Sequence, residues 1–334
     1  METIYVTNRT NYLIMGNKNV IWCDAETLAK DISGKIYIVT GANSGVGLET
    51  TRQLVKQGGH VVMACRRVAA GEEAAQSFKG LNGSVEVIRC DLADLQSVRD
   101  FVGAFLAKYD RLDGLMCNAG MVCMENEPQY TKDGFELTIG VSYLGHFLMT
   151  ECLLDTLKKS APSRMAIVSS VVHAGSPKNR YKVHLDDLNF KQRKYNNFAA
   201  YGEAKVAVVQ YAMELADRLK DKGVSTASIH PGWARSNFGG DGWLMKATQI
   251  VMLPFQSFIT NSNEESAQTS LHCLLSDDAP NHSGSYFSQH SVLYRDKECR
   301  KGGWPMKSPN PHANDMDAAK KLVELSYKLV GLKS

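Results

Sequence analysis

Residues 36–47 read Ile-Tyr-Ile-Val-Thr-Gly-Ala-Asn-Ser-Gly-Val-Gly, an apolar run followed by a glycine-rich turn, and this stretch decides the fold. Ile36–Val39 is short, apolar and β-branched, the pattern of a strand buried on both faces. Helical periodicity follows over Gly47–Lys56. A glycine-rich turn between a first strand and its helix aims backbone N–H groups and the helix's positive end at a pyrophosphate. Glycine is required there because the turn is tight and a side chain would hold the phosphate away. The spacing is Gly-x-x-x-Gly-x-Gly, and a second strand begins about twenty residues on. Gly41, Asn43, Ser44, Gly45, Val46 and Gly47 are therefore expected to hold a dinucleotide.

Outward from the turn, the chain alternates strand and helix. His60–Ala64, Val85–Arg89, Leu115–Cys117, Met165–Val168 and Thr226–Ile229 read as further buried strands, with helical stretches at Leu95–Tyr109, Gly145–Lys159 and Ala204–Lys220. Such alternation predicts an α/β fold of one domain: a Rossmann-type doubly wound parallel sheet with helices on both faces. The expected division is an N-terminal extension over 1–34, the main domain over 35–290, and a C-terminal loop and helix over 291–334 packed on it. Residues 233–262 mix glycine with Trp233, Trp243, Leu244, Met245, Phe255 and Phe258, too apolar for a solvated loop, and read as a cover over the sheet or over a greasy ligand. The segment 171–198, with Lys178, Arg180, Lys182, Lys191, Arg193 and Lys194, reads as a solvated surface loop.

Composition narrows the function. The 334 residues are 44% hydrophobic and 22% charged, ordinary for a globular chain, and 38 Lys+Arg against 35 Asp+Glu leave only +3. That balance does not point to a nucleic-acid partner. No run of roughly eighteen apolar residues marks a membrane-spanning helix. The first residues lack the continuous apolar core of a signal peptide, and the eight cysteines include no C-x-x-C pair, so reduced, buried thiols and a cytoplasmic protein, at most peripheral to membranes, are expected. Nine histidines show no metal-ligand spacing, and no metal is expected. His173 and His184 receive no role.

The end of the second strand selects the nucleotide. NAD sites place a carboxylate there for the ribose 2′-hydroxyl, whereas NADP sites place arginine against the 2′-phosphate. This chain reads Met63-Ala64-Cys65-Arg66-Arg67, with no acid. Arg66 can clamp the phosphate and stack on adenine, so NADP(H) is the expected cofactor.

Six pieces now stand in order: Thr40–Gly47, Asp91-Leu92, Asn118-Ala119-Gly120, Ser169-Ser170, Tyr201-x-x-x-Lys205 and Pro231-Gly232. Together they resemble the short-chain dehydrogenase/reductase family over roughly residues 35–290. The chemistry accounts for the residue types. Hydride transfer to a carbonyl needs a proton donor at the developing alkoxide, and a lysine ammonium one helical turn away favours the phenolate of a tyrosine. The resemblance implies that Tyr201 is the acid/base, Lys205 its partner and a holder of the nicotinamide ribose, and Ser170, rather than Ser169, the hydrogen-bond partner of the substrate oxygen. It also implies that Asp91 and Leu92 lie at the adenine, that Asn118, Ala119 and Gly120 line the cofactor cleft, and that Pro231, Gly232 and Ser236 flank the nicotinamide. One position departs from the family pattern. Ser142 stands where an asparagine usually supports the water of the proton relay.

Leu144-Gly145-His146-Phe147-Leu148, the long gap between Ser170 and Tyr201, and the stretches at 267–273, 283–287 and 325–332 are similar to the retinol dehydrogenases and the light-dependent protochlorophyllide oxidoreductases. This branch implies a small lipophilic substrate, a retinal-like aldehyde, ketone or alcohol, under a lid at 233–262. Photochemical reduction of a tetrapyrrole and a non-catalytic NADP(H)-binding regulator are the competing readings. Monomer and homodimer are both open.

Overall fold

The computed structural model describes residues 20–234, 260–291 and 300–333. Eight strands form one sheet: β1 (Ile36–Thr40), β2 (His60–Cys65), β3 (Ser84–Arg89), β4 (Gly114–Cys117), β5 (Ser163–Val168), β6 (Val224–His230), β7 (Tyr286–Ser288) and β8 (Gly303–Met306). Their order is β3-β2-β1-β4-β5-β6-β7-β8. β1 to β7 run parallel and β8 adds an antiparallel edge. The expected doubly wound α/β architecture is what the chain adopts. The edge strand is a difference, because the tail reads in sequence as loop and helix only. Gly303-Trp304-Pro305-Met306 has no alternation to mark it, and Pro305 is tolerated only because the strand lies at an edge.

Both faces of the sheet are covered over its central strands, which is why β1, β2, β4, β5 and β6 are mostly buried; β3, expected as a buried strand at Val85–Arg89, lies at the sheet edge and is only partly buried. Ile38, Val62, Leu115, Cys117, Met165 and Ile167 enter one core; Tyr37, Val39, Val61, Met63, Met116 and Ala166 enter the other. The first core is closed by α4 (Leu95–Leu106), α5 (Leu137–Lys159) and α6 (Asn197–Arg218). The second is closed by α2 (Gly45–Lys56) and α7 (Asn263–Leu275), with α1 (Ala25–Ala29) and α3 (Val68–Gln76) at its margin. Among the described residues α5 is long and apolar enough to cross a membrane, but 78% of that window is buried inside the fold, as a central core helix requires. The final helix, α8 (Met316–Leu329), buries Ala319, Leu322, Val323 and Ser326 at the i, i+3, i+4, i+7 spacing of an amphipathic face.

Two ties hold the chain ends to the domain. Glu151 of α5 is nearly inaccessible and binds Arg218 of α6 at 2.6 Å, and Tyr211 and Tyr327 add hydroxyl donors to the same carboxylate. At the other end, Ile21 exchanges backbone hydrogen bonds with the Gln289 side chain (2.7 and 2.8 Å), and Cys23 N–H donates to Gln268 Oε1. Residues 20–34 are thus knitted into the domain, with Cys23 and Ile32 inside the second core. The seven described cysteines are free thiols, and all but the partly exposed Cys152 are buried.

Candidate active site

The strand order reverses between β1 and β4, and in such sheets ligands bind in the crevice above the strands' carboxyl ends at that switch. The predicted residues gather there. Gly41 (φ +65°) and Gly45 (φ +58°) take the left-handed conformation that glycine alone adopts freely. Gly47 is needed for space: a β-carbon there would lie 2.5 Å from Asn118 Nδ2 and 2.6 Å from the Gly41 carbonyl oxygen. Asn118 Nδ2 donates to Thr40 O at 2.8 Å, so its side chain clasps the turn. Ser44 precedes α2 in an extended conformation, and no side chain caps that helix, which leaves its N-terminal N–H groups available to an anion.

The remaining strand ends complete the rim. Arg66 and Arg67 project from the end of β2, both exposed, and among the described residues neither side chain has a hydrogen bond or ion pair. Asp91 accepts the Ala93 N–H at 3.1 Å, forming the turn after β3. Leu92 is buried against α5, where a β-carbon on Gly145 would come 2.7 Å from the Leu92 carbonyl oxygen. Ala119 and Gly120 follow Asn118 beyond β4. Pro231 and Gly232 are buried after β6, with Gly232 at φ +85° against Asn261. Ser236 and most of the expected lid, residues 235–259, lie outside the described residues. The lid's two described ends meet, with Asn261 N–H donating to Trp233 O at 2.8 Å.

Above β5 the four polar residues read as catalytic converge. α6 begins at Asn197, capped by the Asn196 side chain on the Ala199 N–H, rather than at Ala204. The first turns carry no apolar period to mark them, with Asn197 at the start and Gly202 pressed on the Tyr181 ring. Tyr201 and Lys205 therefore occupy successive turns, with Lys205 Nζ 5.6 Å from the Tyr201 ring centroid. Lys205 is 1% exposed and donates to the Val168 carbonyl oxygen at 2.8 Å. A β-carbon on Gly120 would lie 3.2 Å from Lys205 Nζ and 3.5 Å from Ser142 Oγ, so these three residues share one small space. Ser142 sits in a π-turn, Gly140–Leu144, inside α5, and among the described residues its buried hydroxyl has no partner. The adjacent serines part company. Ser169 Oγ donates to the Lys205 carbonyl oxygen and anchors α6, whereas Ser170 hydrogen-bonds the Tyr201 side chain.

Burial acts on both titrating groups. It pushes the Tyr201 hydroxyl up to about 12, eased by the Ser170 hydrogen bond, and pulls the Lys205 ammonium down to about 7. The sign for stability follows. Between pH 7 and the ordinary lysine value of 10.5 the unfolded chain holds a proton that folded Lys205 has lost, so stability rises with pH across that window, and the full penalty of burying the charge applies below it. Lys205→Met is expected to flatten that rise and to leave the nucleotide-free protein more stable than the parent at neutral pH. Thermal unfolding against pH, parent and variant compared, checks this; a variant less stable at pH 7 with the same slope contradicts it.

The segment 171–198 corrects the sequence reading. It is not a solvated loop throughout. Arg193 turns inward to bind Glu203 at 2.8 Å and Asp187 at 3.2 Å, lies over the Phe190 ring at 4.2 Å, and so fastens the segment to α6 two residues from Tyr201. His184 joins that cluster through Glu203. His173 is fully buried, bonded to Ser170 O at 2.5 Å and Ser308 Oγ at 2.7 Å, and braces the Ser170 loop. Sequence reasoning also passed over Thr40 and His146. Thr40 Oγ1 lies 2.9 Å from the backbone N of both Asn118 and Ala119, and 2.9 Å from His146 Nε2. Thr40 stood inside the quoted turn and was legible as a hydroxyl at a strand end; nothing in the sequence paired it with residue 146.

The profile described as short chain dehydrogenase matches residues 35–180. Human retinol dehydrogenase 13 is 38% identical over 307 residues, covering 91% of this chain and 86% of that one. Human retinol dehydrogenase 11 is 39% identical over 277 residues, 82% of this chain and 83% of that one. The chain belongs to the short-chain dehydrogenase/reductase family. A crystal structure of an uncharacterized protein from Mycobacterium Paratuberculosis, 29% identical, superposes with a TM-score of 0.71 over 91% of this chain and 96% of that one.

As a short-chain dehydrogenase/reductase the protein is an oxidoreductase of the retinol dehydrogenase-like branch, and the family uses a nicotinamide cofactor. The residues present fit such a group: an uncapped helix start at the glycine turn, a side-chain-free rim at Gly120, and the partnerless Ser142 hydroxyl. Among the described residues no cluster of His, Cys, Asp and Glu is arranged to hold a metal.

Proposed function

We propose that this protein is an NADP(H)-dependent oxidoreductase acting at the carbonyl or alcohol carbon of a lipophilic, retinal-like substrate, with Tyr201 as acid and base. The observation that carries the reading is the convergence of Ser170, Tyr201 and Lys205 above β5, beside the glycine turn at the switch in strand order. When bound, the nicotinamide supplies or accepts the hydride. Gly41, Asn43, Ser44, Gly45, Val46 and Gly47 take the pyrophosphate, Asp91 and Leu92 the adenine, and Asn118 to Gly120 with Pro231, Gly232 and Ser236 the nicotinamide half. In reduction the Tyr201 hydroxyl gives its proton to the substrate oxygen while Ser170 Oγ orients that oxygen. Lys205 favours the phenolate that remains, and a water beside Ser142 and Lys205 returns the proton. In oxidation the same atoms act in reverse. The names of the relatives, retinol dehydrogenases 11 and 13, support the lipophilic substrate class.

The deciding experiment follows NADPH oxidation in the dark against a panel of lipophilic aldehydes and ketones. Turnover supports the reading. Tight nucleotide binding without dark turnover overturns it, and a tetrapyrrole assay under light then separates photochemical from non-catalytic binding. NADP preference rests on Arg66, exposed and without a partner among the described residues, where NAD sites carry an acid. A charge-assisted contact of about 1.5–3 kcal/mol predicts that Arg66→Ala weakens NADPH by roughly ten- to a hundredfold and NADH hardly at all. Equal losses for the two nucleotides in a fluorescence titration would reject the preference. Ser142→Asn is expected to leave reduction equal or faster, since the amide restores the usual support for the relay water; a sharp fall in kcat would show that serine has its own role.

A further inference from the structure

His146 stands one helical turn after Ser142 on α5, 2% exposed, and touches both the cofactor turn and the π-turn. Its hydrogen bonds can be assigned by counting. A threonine hydroxyl has one proton and two lone pairs. At Thr40 both lone pairs are taken, by the N–H groups of Asn118 and Ala119 at 2.9 Å each. The hydroxyl proton must therefore leave toward an acceptor, and His146 Nε2 at 2.9 Å is closer than the Met116 carbonyl oxygen at 3.4 Å. Nε2 is then bare and Nδ1 carries the ring proton, directed at the Ser142 carbonyl oxygen 3.3 Å away.

We propose that His146 is a positioning residue, a neutral imidazole protonated on Nδ1 that locks the Thr40 hydroxyl and so holds the Asn118–Ala119 backbone and the Ser142 π-turn in one frame. The proposal rests on the functional reading above, in which these segments hold the nicotinamide half and the relay. Burial, together with the nearby Lys205 charge, pulls the ring down to about 3, so it stays neutral at any working pH. A second donor at Nε2 would face the Thr40 hydroxyl with no lone pair to receive it.

The test uses the full chain. In the nucleotide-free parent, ¹⁵N spectra of the histidine rings, with the His146 signal identified by its loss in His146→Gln, are expected to show the proton on Nδ1; a proton on Nε2 overturns the proposal. His146→Leu keeps the bulk and removes both bonds. It is expected to speed amide exchange at Asn118 and Ala119 by about tenfold and to weaken NADPH by a similar factor, with His146→Gln recovering most of both because its amide oxygen can accept from Thr40. His272→Leu, which removes a buried histidine stacked on Trp304, is expected to change neither. Unaltered exchange and affinity in His146→Leu, or equal changes in His272→Leu, would reduce His146 to packing and reject the proposal. If His146→Leu fails to fold, the parent's tautomer and His146→Gln decide. A parent that binds no nicotinamide nucleotide would overturn the functional reading instead, with the tautomer and exchange arms still deciding the role of His146.

Discussion

Tyr201→Phe is expected to lower kcat for carbonyl reduction by about 10³-fold, the scale of a lost general acid, while nucleotide affinity stays near the parent's. The geometry explains the split. The ring packs at the head of α6 and is 8% exposed, so phenylalanine keeps its contacts. What is lost is the hydroxyl, the one proton that Ser170 and Lys205 are placed to manage. Neither neighbour substitutes for it: Lys205 Nζ is held on the Val168 carbonyl, and an aliphatic hydroxyl such as Ser170's is too weak an acid to deliver its proton. Single-turnover kinetics beside a fluorescence titration separates the terms. A variant that retains more than a tenth of the parent rate would remove Tyr201 from the chemistry.

The second large effect is at the cofactor turn. Gly47→Ala puts a methyl group 2.5 Å from Asn118 Nδ2 and 2.6 Å from the Gly41 carbonyl oxygen, and neither can yield cheaply. The Asn118 amide is bonded to Thr40 O, and Gly41 is backbone at positive φ. Overpacking of this kind costs about 3 kcal/mol, which predicts a clear fall in Tm and NADPH affinity roughly a hundredfold weaker. Gly103→Ala in α4 supplies the contrast. No atom lies within 4 Å of its β-carbon, and helix propensity predicts a gain of about 0.5–1 kcal/mol. If both substitutions behave alike, space at the turn is not what Gly47 provides.

How far the sequence carried depended on the range of the interaction. Five of the six expected strands announced themselves because burial on both faces makes each an apolar run, whereas β3, expected to be buried, is a partly exposed edge strand; the observed bounds of all six differ from the expected ones by one or two residues. The glycine turn and the Tyr201–Lys205 pair were legible because spacing along one chain segment sets their geometry. Pairings across the fold left no such trace. His173 belongs to Ser308, 135 positions away, because the fold brings together segments that no periodicity connects, and even the short-range pairing of Arg193 with Asp187 and Glu203 follows the path of an irregular loop and not a repeat. The same holds for β8, whose partner β7 supplies the edge that its own residues do not advertise. Thr40 with His146 is the instructive case: the hydroxyl was in view, and its third contact lies 106 positions away.

The knot between Ile21 and Gln289 sets a timetable for the chain's synthesis. Ile21 meets Gln289 only after 268 more residues have been added, and α8 closes over α6 later still. During that interval the second core lacks all of α7, including Gln268, the partner of Cys23, so the exposed face of the half-built sheet is a surface that a chaperone would have to shield. No cut that removes α7 and α8 should leave an autonomous folding unit, even though every residue of the glycine turn lies ahead of β2. Long-range closure of this kind slows folding. It also makes the segment of Ile21 and Cys23 wait for Gln289 and Gln268 before it is fixed in place.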